Sequence, residues 1–284
     1  MTFYSYNKDQ LFDLLPKRRQ NSHKGTYGRL LIIGGSSGMC GAPYFSAKAA
    51  YRTGVGLVEI FSCAENRTTL QALIPEAILT VYDQNSIDPY ALGASISRAD
   101  AVAIGMGLSE SPAALELIAY TLDKCTSPLI IDADALNLIS KNKQLWTLIK
   151  APVIITPHLA EMSRLSGWDI PSIANNIPLC AKSFADVQKV ICVLKDHHTA
   201  VASPLDEKVY INQSGNSGMS TAGSGDVLDG VIGALLAQRL DPVNAASLGV
   251  FLHGLAGDVA SSELSEYSVM ASDIIEAIPK VLLK

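Results

Sequence analysis

Short, uninterrupted apolar runs recur along the chain, most of them ended by glycine, proline or a polar cluster. They fall at 29–33, 55–61, 77–82, 101–104, 128–131, 153–156 and 190–194. Runs of this length, stopped by turn residues, read as strands buried on both faces of a parallel sheet. Between most of them, apolar residues recur at helical spacing, which predicts helices over 43–53, 112–124, 160–166 and 177–188. Such alternation predicts a mostly parallel central sheet covered by helices on both faces. Beyond Leu194 the pattern changes. Two short strands, 200–203 and 208–211, flank a polar turn and read as an antiparallel edge hairpin. Helices over 225–239, 242–263 and 271–283 close the chain. Residues 1–24 read as an N-terminal arm with one short helix. The whole, 1–284, reads as a single three-layer α/β/α domain.

Composition narrows the function classes. With 48% hydrophobic and 17% charged residues over 284 positions, the chain is rich enough in core to exclude disorder as its main state. A net charge of -5 argues against a surface for nucleic acid or anionic membrane. An anionic ligand would therefore be gripped locally. The five cysteines, Cys40, Cys63, Cys125, Cys180 and Cys192, form no CxxC pair, which speaks for a reducing cytoplasm and against a disulfide framework. The N-terminal stretch lacks the apolar core of a signal peptide. The longest uncharged run, 30–47, is broken by four glycines and Pro43, so it reads as strand, loop and helix start.

Neither a GxxxxGK[ST] loop nor a GxGxxG turn is present. The strongest local signal is Ser220 to Gly230, STAGSGDVLDG, preceded by further glycines at 215 and 218. Glycines ahead of a helix let the backbone approach a ligand, and unpaired N–H groups at the helix start hold phosphate oxygens. Asp226 in the first turn then reads as a base for a substrate hydroxyl. The alternative is a helix N-cap. His158 and Glu161, in ITPHLAEM, follow a strand and share a helix face. A zinc reading there is weak, and a capping histidine is the competing account. Asp132 and Asp134, in IIDADALN, suit Mg²⁺ or a ribose hydroxyl, or Asp134 caps the next helix. Lys195, in LKDHHT, leaves a buried strand at its C-terminal end and reads as a phosphate partner or a plain surface lysine. GGSSGMCGAP, after the first apolar run, is a strand-to-helix turn open to a substrate.

In their order along the chain, KGTYGRLLIIGGSSGMCGAP, IGMGL, IIDADALNLI, ITPHLAEMSRL, VLKDHHTAV and NSGMSTAGSGDVLDGVIGALLAQ resemble the ADP-dependent NAD(P)H-hydrate dehydratases, a branch of the ribokinase-like superfamily. The resemblance runs from about Lys24 to the C-terminus. It implies ADP-dependent dehydration of (6S)-NADHX or NADPHX to NADH or NADPH, with release of AMP and phosphate and with Mg²⁺ assisting. It places the hydrate at Ala42, Gly107, His158 and Asp226, with Asp226 catalytic. It places ADP or AMP at Lys195, Asp196, His197, His198, Thr199 and Gly225, and an anion hole at Gly223, Ser224 and Gly225. Metal ligands stay unassigned, with Glu161 and Asn137 as candidates. It further implies a homotetramer that works beside a separate NAD(P)HX epimerase, because few residues precede Lys24.

Three positions depart from the family pattern: Met106 where proline is common, Asp196 where glycine is common, and Asp229 where a small neutral residue is usual. Two other readings stay open. One is a small-molecule kinase of the same superfamily acting on a hydroxymethyl or hydroxyethyl heterocycle, which would release a stable phosphate ester. The other is a non-catalytic nucleotide-binding protein.

Overall fold

The structure is a computed structural model and describes residues 1–283. Ten strands form one sheet: β1 (Thr2–Tyr4), β2 (Arg29–Ile33), β3 (Leu57–Cys63), β4 (Ile78–Tyr82), β5 (Ala101–Ile104), β6 (Leu129–Ile131), β7 (Val153–Ile155), β8 (Ile191–Leu194), β9 (Ala200–Ala202) and β10 (Lys208–Ile211). Their spatial order is β1-β10-β9-β8-β7-β6-β5-β2-β3-β4. Every pairing is parallel except those of β9, which runs antiparallel to both β8 and β10. The apolar runs thus became parallel strands, and β2, β5 and β10 keep their predicted bounds.

The helices are α1 (Leu11–Leu14), α2 (Gly41–Thr53), α3 (Arg67–Leu73), α4 (Pro89–Arg98), α5 (Pro112–Lys124), α6 (Ala133–Lys141), α7 (Leu159–Ser166), α8 (Ile170–Ala174), α9 (Ile177–Gln188), α10 (Ser224–Ala237), α11 (Pro242–Leu264) and α12 (Ala271–Val281). One core lies between the sheet and α2, α10, α11 and α12. The other lies between the sheet and α4, α5, α6, α7 and α9. Three layers result, as the alternation predicts. Helix α11 is long and apolar enough to cross a membrane by composition, but 72% of its most apolar window is buried inside the fold, so its hydrophobicity is accounted for by packing.

Two expectations change. The N-terminal arm opens with a strand, β1, which pairs parallel with β10. The β9–β10 hairpin is therefore covered and is not the sheet edge. Tyr4 and Tyr6 pack their rings on buried Tyr210, with centroids 5.5 and 4.9 Å away, and this aromatic cluster fixes the arm.

The chain reverses its direction of sheet growth between β2 and β5, since β3 and β4 lie on one side of β2 and β5 to β8 on the other. In open α/β sheets ligands bind past the carboxyl ends of the strands at such a switch. The loops after β2, β5, β6, β7 and β8 carry the sequence motifs singled out above, so the topology gathers them at one rim.

Helices α2 and α10 cross in close contact. A Cβ on Gly230 would lie 2.1 Å from the Ser46 carbonyl oxygen of α2, a distance at which backbone must move. Alanine is favoured over glycine inside a helix by about 1 kcal/mol. Overpacking costs roughly 1–3 kcal/mol, and here the clash is with backbone. Gly230→Ala is therefore expected to destabilise the protein by about 1–2 kcal/mol in denaturant unfolding. A stabilised variant would show that the two helices have slack.

Candidate functional site

Helix α10 begins where the glycines allow it to. Gly223 is its N-cap residue with φ +89°, in the left-handed region, and a Cβ there would meet the Phe45 ring at 2.7 Å. No side chain caps this helix. Asp226 sits three residues inside, so the N-cap reading of Asp226 does not hold. Of the first-turn N–H groups, that of Ser224 donates to the Thr221 carbonyl at 3.3 Å; no side chain takes the others, which leaves them to a ligand.

Lys195 crosses over this turn from the end of β8. Its Nζ lies 3.0 and 3.1 Å from the two carboxylate oxygens of Asp132 and 3.4 Å from where a Gly225 Cβ would stand. Its main-chain N–H donates to the Pro157 carbonyl at 2.8 Å, which fixes β8 against the loop after β7. Asp132, 3% exposed, ends β6. It occupies the N-cap position of α6 without capping it, and Ala133 next to it holds φ +51°. Left-handed backbone at a non-glycine residue costs free energy and is found at functional sites. Asp132 is thus the ammonium's partner. Asp134 does not cap α6 either; its carboxylate accepts from the Ser109 N–H at 2.7 Å.

Three more carboxyl groups lie in the field of this ion pair. Asp226, half-buried, has its pKa raised to about 7 by burial and by Asp132, with Lys195 opposing. Glu161 is likewise raised to about 7 by burial and Asp132. Asp229 follows Asp226 on α10, is fully buried, and is raised well above the ordinary range by the same two causes. One Asp229 oxygen accepts from Thr156 Oγ1 at 3.0 Å, and Oδ2 has no partner. Burial disfavours the Lys195 ammonium, but the carboxylates around it, Asp132 first, outweigh it and its pKa is raised.

His158 does cap α7: Nδ1 accepts from the N–H groups of Ala160 and Glu161, and Glu161 Oε2 accepts from the His158 N–H at 2.8 Å. His158 also lines the main cavity, so capping does not take it out of the candidate site. Asn137 Oδ1 accepts from Arg164 Nε. Among the described residues no group of three or more His, Cys, Asp or Glu could hold a metal ion.

A cavity of about 700 Å³ opens beside the α10 turn. It brings together His158, Lys195, Asp196, His197, His198, Thr199, Ser224 and Gly225. Asp196 lies beside His197, at 3.6 Å from Nδ1. The opposite wall is the loop 212–220, tied to α11 by Asp258, which accepts from the Gly215 N–H and from Asn216 Nδ2.

Ala42 and Gly107 do not line this cavity. They meet each other on the α2 side of the turn, where a Gly107 Cβ would be 3.0 Å from the Ala42 Cβ. The two sides are connected through Ser46, whose hydroxyl reaches the Ala42 carbonyl at 3.3 Å and the Asp226 carbonyl at 2.8 Å. The Gly223 to Asp226 turn thus stands between this cavity and the Ala42–Gly107 contact. Met106 is fully buried, so that departure is a matter of packing.

The residues missed from sequence are Asp132 as the lysine's partner, Asp258 as the loop anchor, and His253. His253 lines the cavity, and burial followed by Lys195 pushes its pKa down to about 4. A histidine within the apolar helix 242–263 was the available signal.

Comparison with known proteins places the chain. The NAD(P)H-hydrate dehydratase family model matches residues 30–280. The chain is 39% identical over 245 residues to the ADP-dependent (S)-NAD(P)H-hydrate dehydratase of Neisseria meningitidis serogroup B, covering 85% of this chain and 80% of that one. It is 38% identical over 276 residues to the bifunctional NAD(P)H-hydrate repair enzyme of Moorella thermoacetica, covering 94% of this chain and 52% of that one. It thus spans about half the length of the bifunctional relatives it matches. Among solved structures, the ADP/ATP-dependent NAD(P)H-hydrate dehydratase of Bacillus subtilis, co-crystallised with ATP and Mg²⁺, aligns with a TM-score of 0.84 at 27% identity, over 97% of this chain and 96% of that one. A ribokinase-like superfamily protein of Enterococcus faecalis aligns with a TM-score of 0.86 at 29% identity, over 98% and 94%. The expected ribokinase-like fold is borne out.

Asp229 supplies a test of the site's electrostatics. An unfolded aspartate titrates near pH 4. The native chain keeps the Asp229 proton well above that, so the native state binds more protons and loses stability as pH rises above about 4. Asparagine has no such linkage. The gain in thermal midpoint of Asp229→Asn over the wild type is expected to grow between pH 5 and pH 8. An equal difference at both values would mean that Asp229 ionises at its ordinary pH.

Proposed function

The chain belongs to the NAD(P)H-hydrate dehydratase family, and from that premise we propose that it dehydrates (6S)-NADHX and NADPHX to NADH and NADPH at the expense of ADP. The observation that carries this reading is Asp226. A carboxyl group raised to about 7 stands in the first turn of a helix whose N–H groups are uncapped. It is a base tuned to the working pH beside a cradle for an anion.

The hydroxyl oxygen of the hydrated ring attacks the terminal phosphorus of ADP, and its proton passes to Asp226. The bond from phosphorus to the AMP oxygen breaks, and AMP leaves with the electron pair. Phosphate then departs from the ring carbon, and loss of a proton from the adjacent carbon restores the double bond. Hydroxide is a poor leaving group; phosphate is a far better one. The turn Gly223, Ser224 and Gly225 holds the transferred phosphoryl group, chiefly through the Gly223 and Gly225 N–H groups, since that of Ser224 donates to the Thr221 carbonyl. Lys195, Asp196, His197, His198, Thr199 and Gly225 hold the nucleotide in the main cavity. Ala42, Gly107, His158 and Asp226 hold the hydrate. Lys195 gives two of its three N–H donors to Asp132 and keeps one for phosphate.

Mg²⁺ enters as part of the nucleotide. The described residues offer it no cluster. A Mg²⁺ ion carried on two phosphates keeps waters and needs at most one or two carboxylates. Assembly as a homotetramer, residence in the cytoplasm and pairing with an NAD(P)HX epimerase belong to the same reading.

The test supplies (6S)-NADHX, ADP and Mg²⁺ and follows the near-ultraviolet absorbance of reduced nicotinamide together with AMP and phosphate. Recovery of absorbance with both products is expected; a stable phosphate ester would point to a kinase instead. Asp226→Asn is expected to lower kcat by about 10³-fold or more while ADP affinity stays within a few-fold, because the cradle is backbone. The wild-type kcat/KM should rise with pH through about 7 as Asp226 loses its proton. Activity unchanged in Asp226→Asn would remove the assignment.

A further inference from the structure

His253 lies on α11 at 8% exposure, among residues that are otherwise apolar or small. Burying an imidazole costs free energy unless it is hydrogen-bonded, and packing alone would be served by leucine there. Its Nε2 is 3.4 Å from Ser224 Oγ, and both groups line the main cavity. The steps described for the proposed function leave this pair without a role.

The protonation state limits what the contact can be. Burial and the nearby Lys195 ammonium keep the imidazole neutral above about pH 4, so one ring nitrogen carries a hydrogen and the other accepts. Ser224 has a single hydroxyl hydrogen. If Nε2 accepts it, Ser224 shows only lone pairs to the cavity, which repel phosphoryl oxygens. If Nε2–H donates to Ser224 Oγ, that hydrogen is free to be given to an anion. An anion at the turn selects the second arrangement.

We propose that His253 is a positioning residue of the phosphoryl-binding turn: Nε2–H donates to Ser224 Oγ and so directs the Ser224 hydroxyl hydrogen at the phosphoryl group being transferred. The identity of that group rests on the dehydratase reading; the contact does not. A donor aimed directly at developing charge is worth about 10²–10³ in rate. Acting through Ser224, His253 contributes about tenfold.

The experiment compares wild type, Ser224→Ala, His253→Leu, His253→Gln and the Ser224→Ala/His253→Leu double variant. Their folding is checked by thermal unfolding. His253→Leu and Ser224→Ala are each expected to lower kcat about tenfold or more with little change in KM for NADHX. The double variant should be no slower than Ser224→Ala alone. His253→Gln, whose side-chain amide replaces the N–H, should recover most of the rate. Multiplied losses in the double variant, or a glutamine as slow as leucine, overturn the proposal. A second arm needs no turnover: calorimetric titration with ADP and with AMP. His253→Leu should lower the ratio of ADP to AMP affinity while AMP binding is retained, and an unchanged ratio also overturns it. If the wild type turns over no NADHX, the dehydratase reading fails and the titration arm still decides the contact.

Discussion

One ammonium group is set among four carboxyl groups at the rim of the sheet. Lys195 pairs with both oxygens of Asp132, while Asp226, Asp229 and Glu161 lie in the same field. Charges close together away from water interact strongly, so a single cation does not neutralise all four. The surplus is removed by protons. Asp229 keeps its proton, and Asp226 and Glu161 are pushed to about 7. A helix N-terminus alone would favour the charged form of Asp226 and hold its pKa down. Burial and Asp132 reverse that preference, and the result is a carboxylate basic enough to accept a proton near neutrality. Lys195 opposes the rise at Asp226 and Glu161, and Asp132 adds to it.

This cluster exists only because the fold brings its members to one place. Asp132, Glu161 and Lys195 lie at or just past the carboxyl ends of β6, β7 and β8, which are adjacent in the sheet. Asp226 and Asp229 come from α10, pressed on the other layer by its close crossing with α2. The crossing depends on Gly230, where a side chain would strike the Ser46 carbonyl. The same Ser46 bonds the Asp226 carbonyl through its hydroxyl. Packing between two helices therefore sets the height of the base above the sheet.

The apolar runs made the parallel sheet legible, because strands buried on both faces leave an uninterrupted hydrophobic signature. The edge escaped. Strand β1 is three residues long with an exposed Phe3, and its place is fixed by the packing of Tyr4 and Tyr6 on the ring of Tyr210, far along the chain. Helix α4 escaped as well, since its buried positions Leu92, Ser95 and Ile96 include a serine that serves Glu59. At the site, the glycine turn and Asp226 were legible because backbone freedom and a first-turn acid are local signals. The pairing of Lys195 with Asp132 spans 63 residues and leaves no local mark. His158 illustrates a different limit: a capping histidine and a cavity-lining histidine read as rivals in sequence, yet the same residue caps α7 and lines the cavity.

The arrangement also bears on the order in which charge moves in the proposed reaction. A nucleotide entering the cavity adds negative charge near Asp226 and by itself would drive that group toward its neutral form. The uncapped N–H groups of the α10 turn and the remaining N–H of Lys195 meet that charge directly, since Gly225 lies against the ammonium. The groups that hold the phosphoryl group are thus also the ones that keep Asp226 ionisable once it is bound. Departure of phosphate removes this charge and makes it easier for Asp226 to release its proton. In this reading binding and base strength are coupled through one helix terminus, and the buried proton on Asp229 keeps a further negative charge out of the balance.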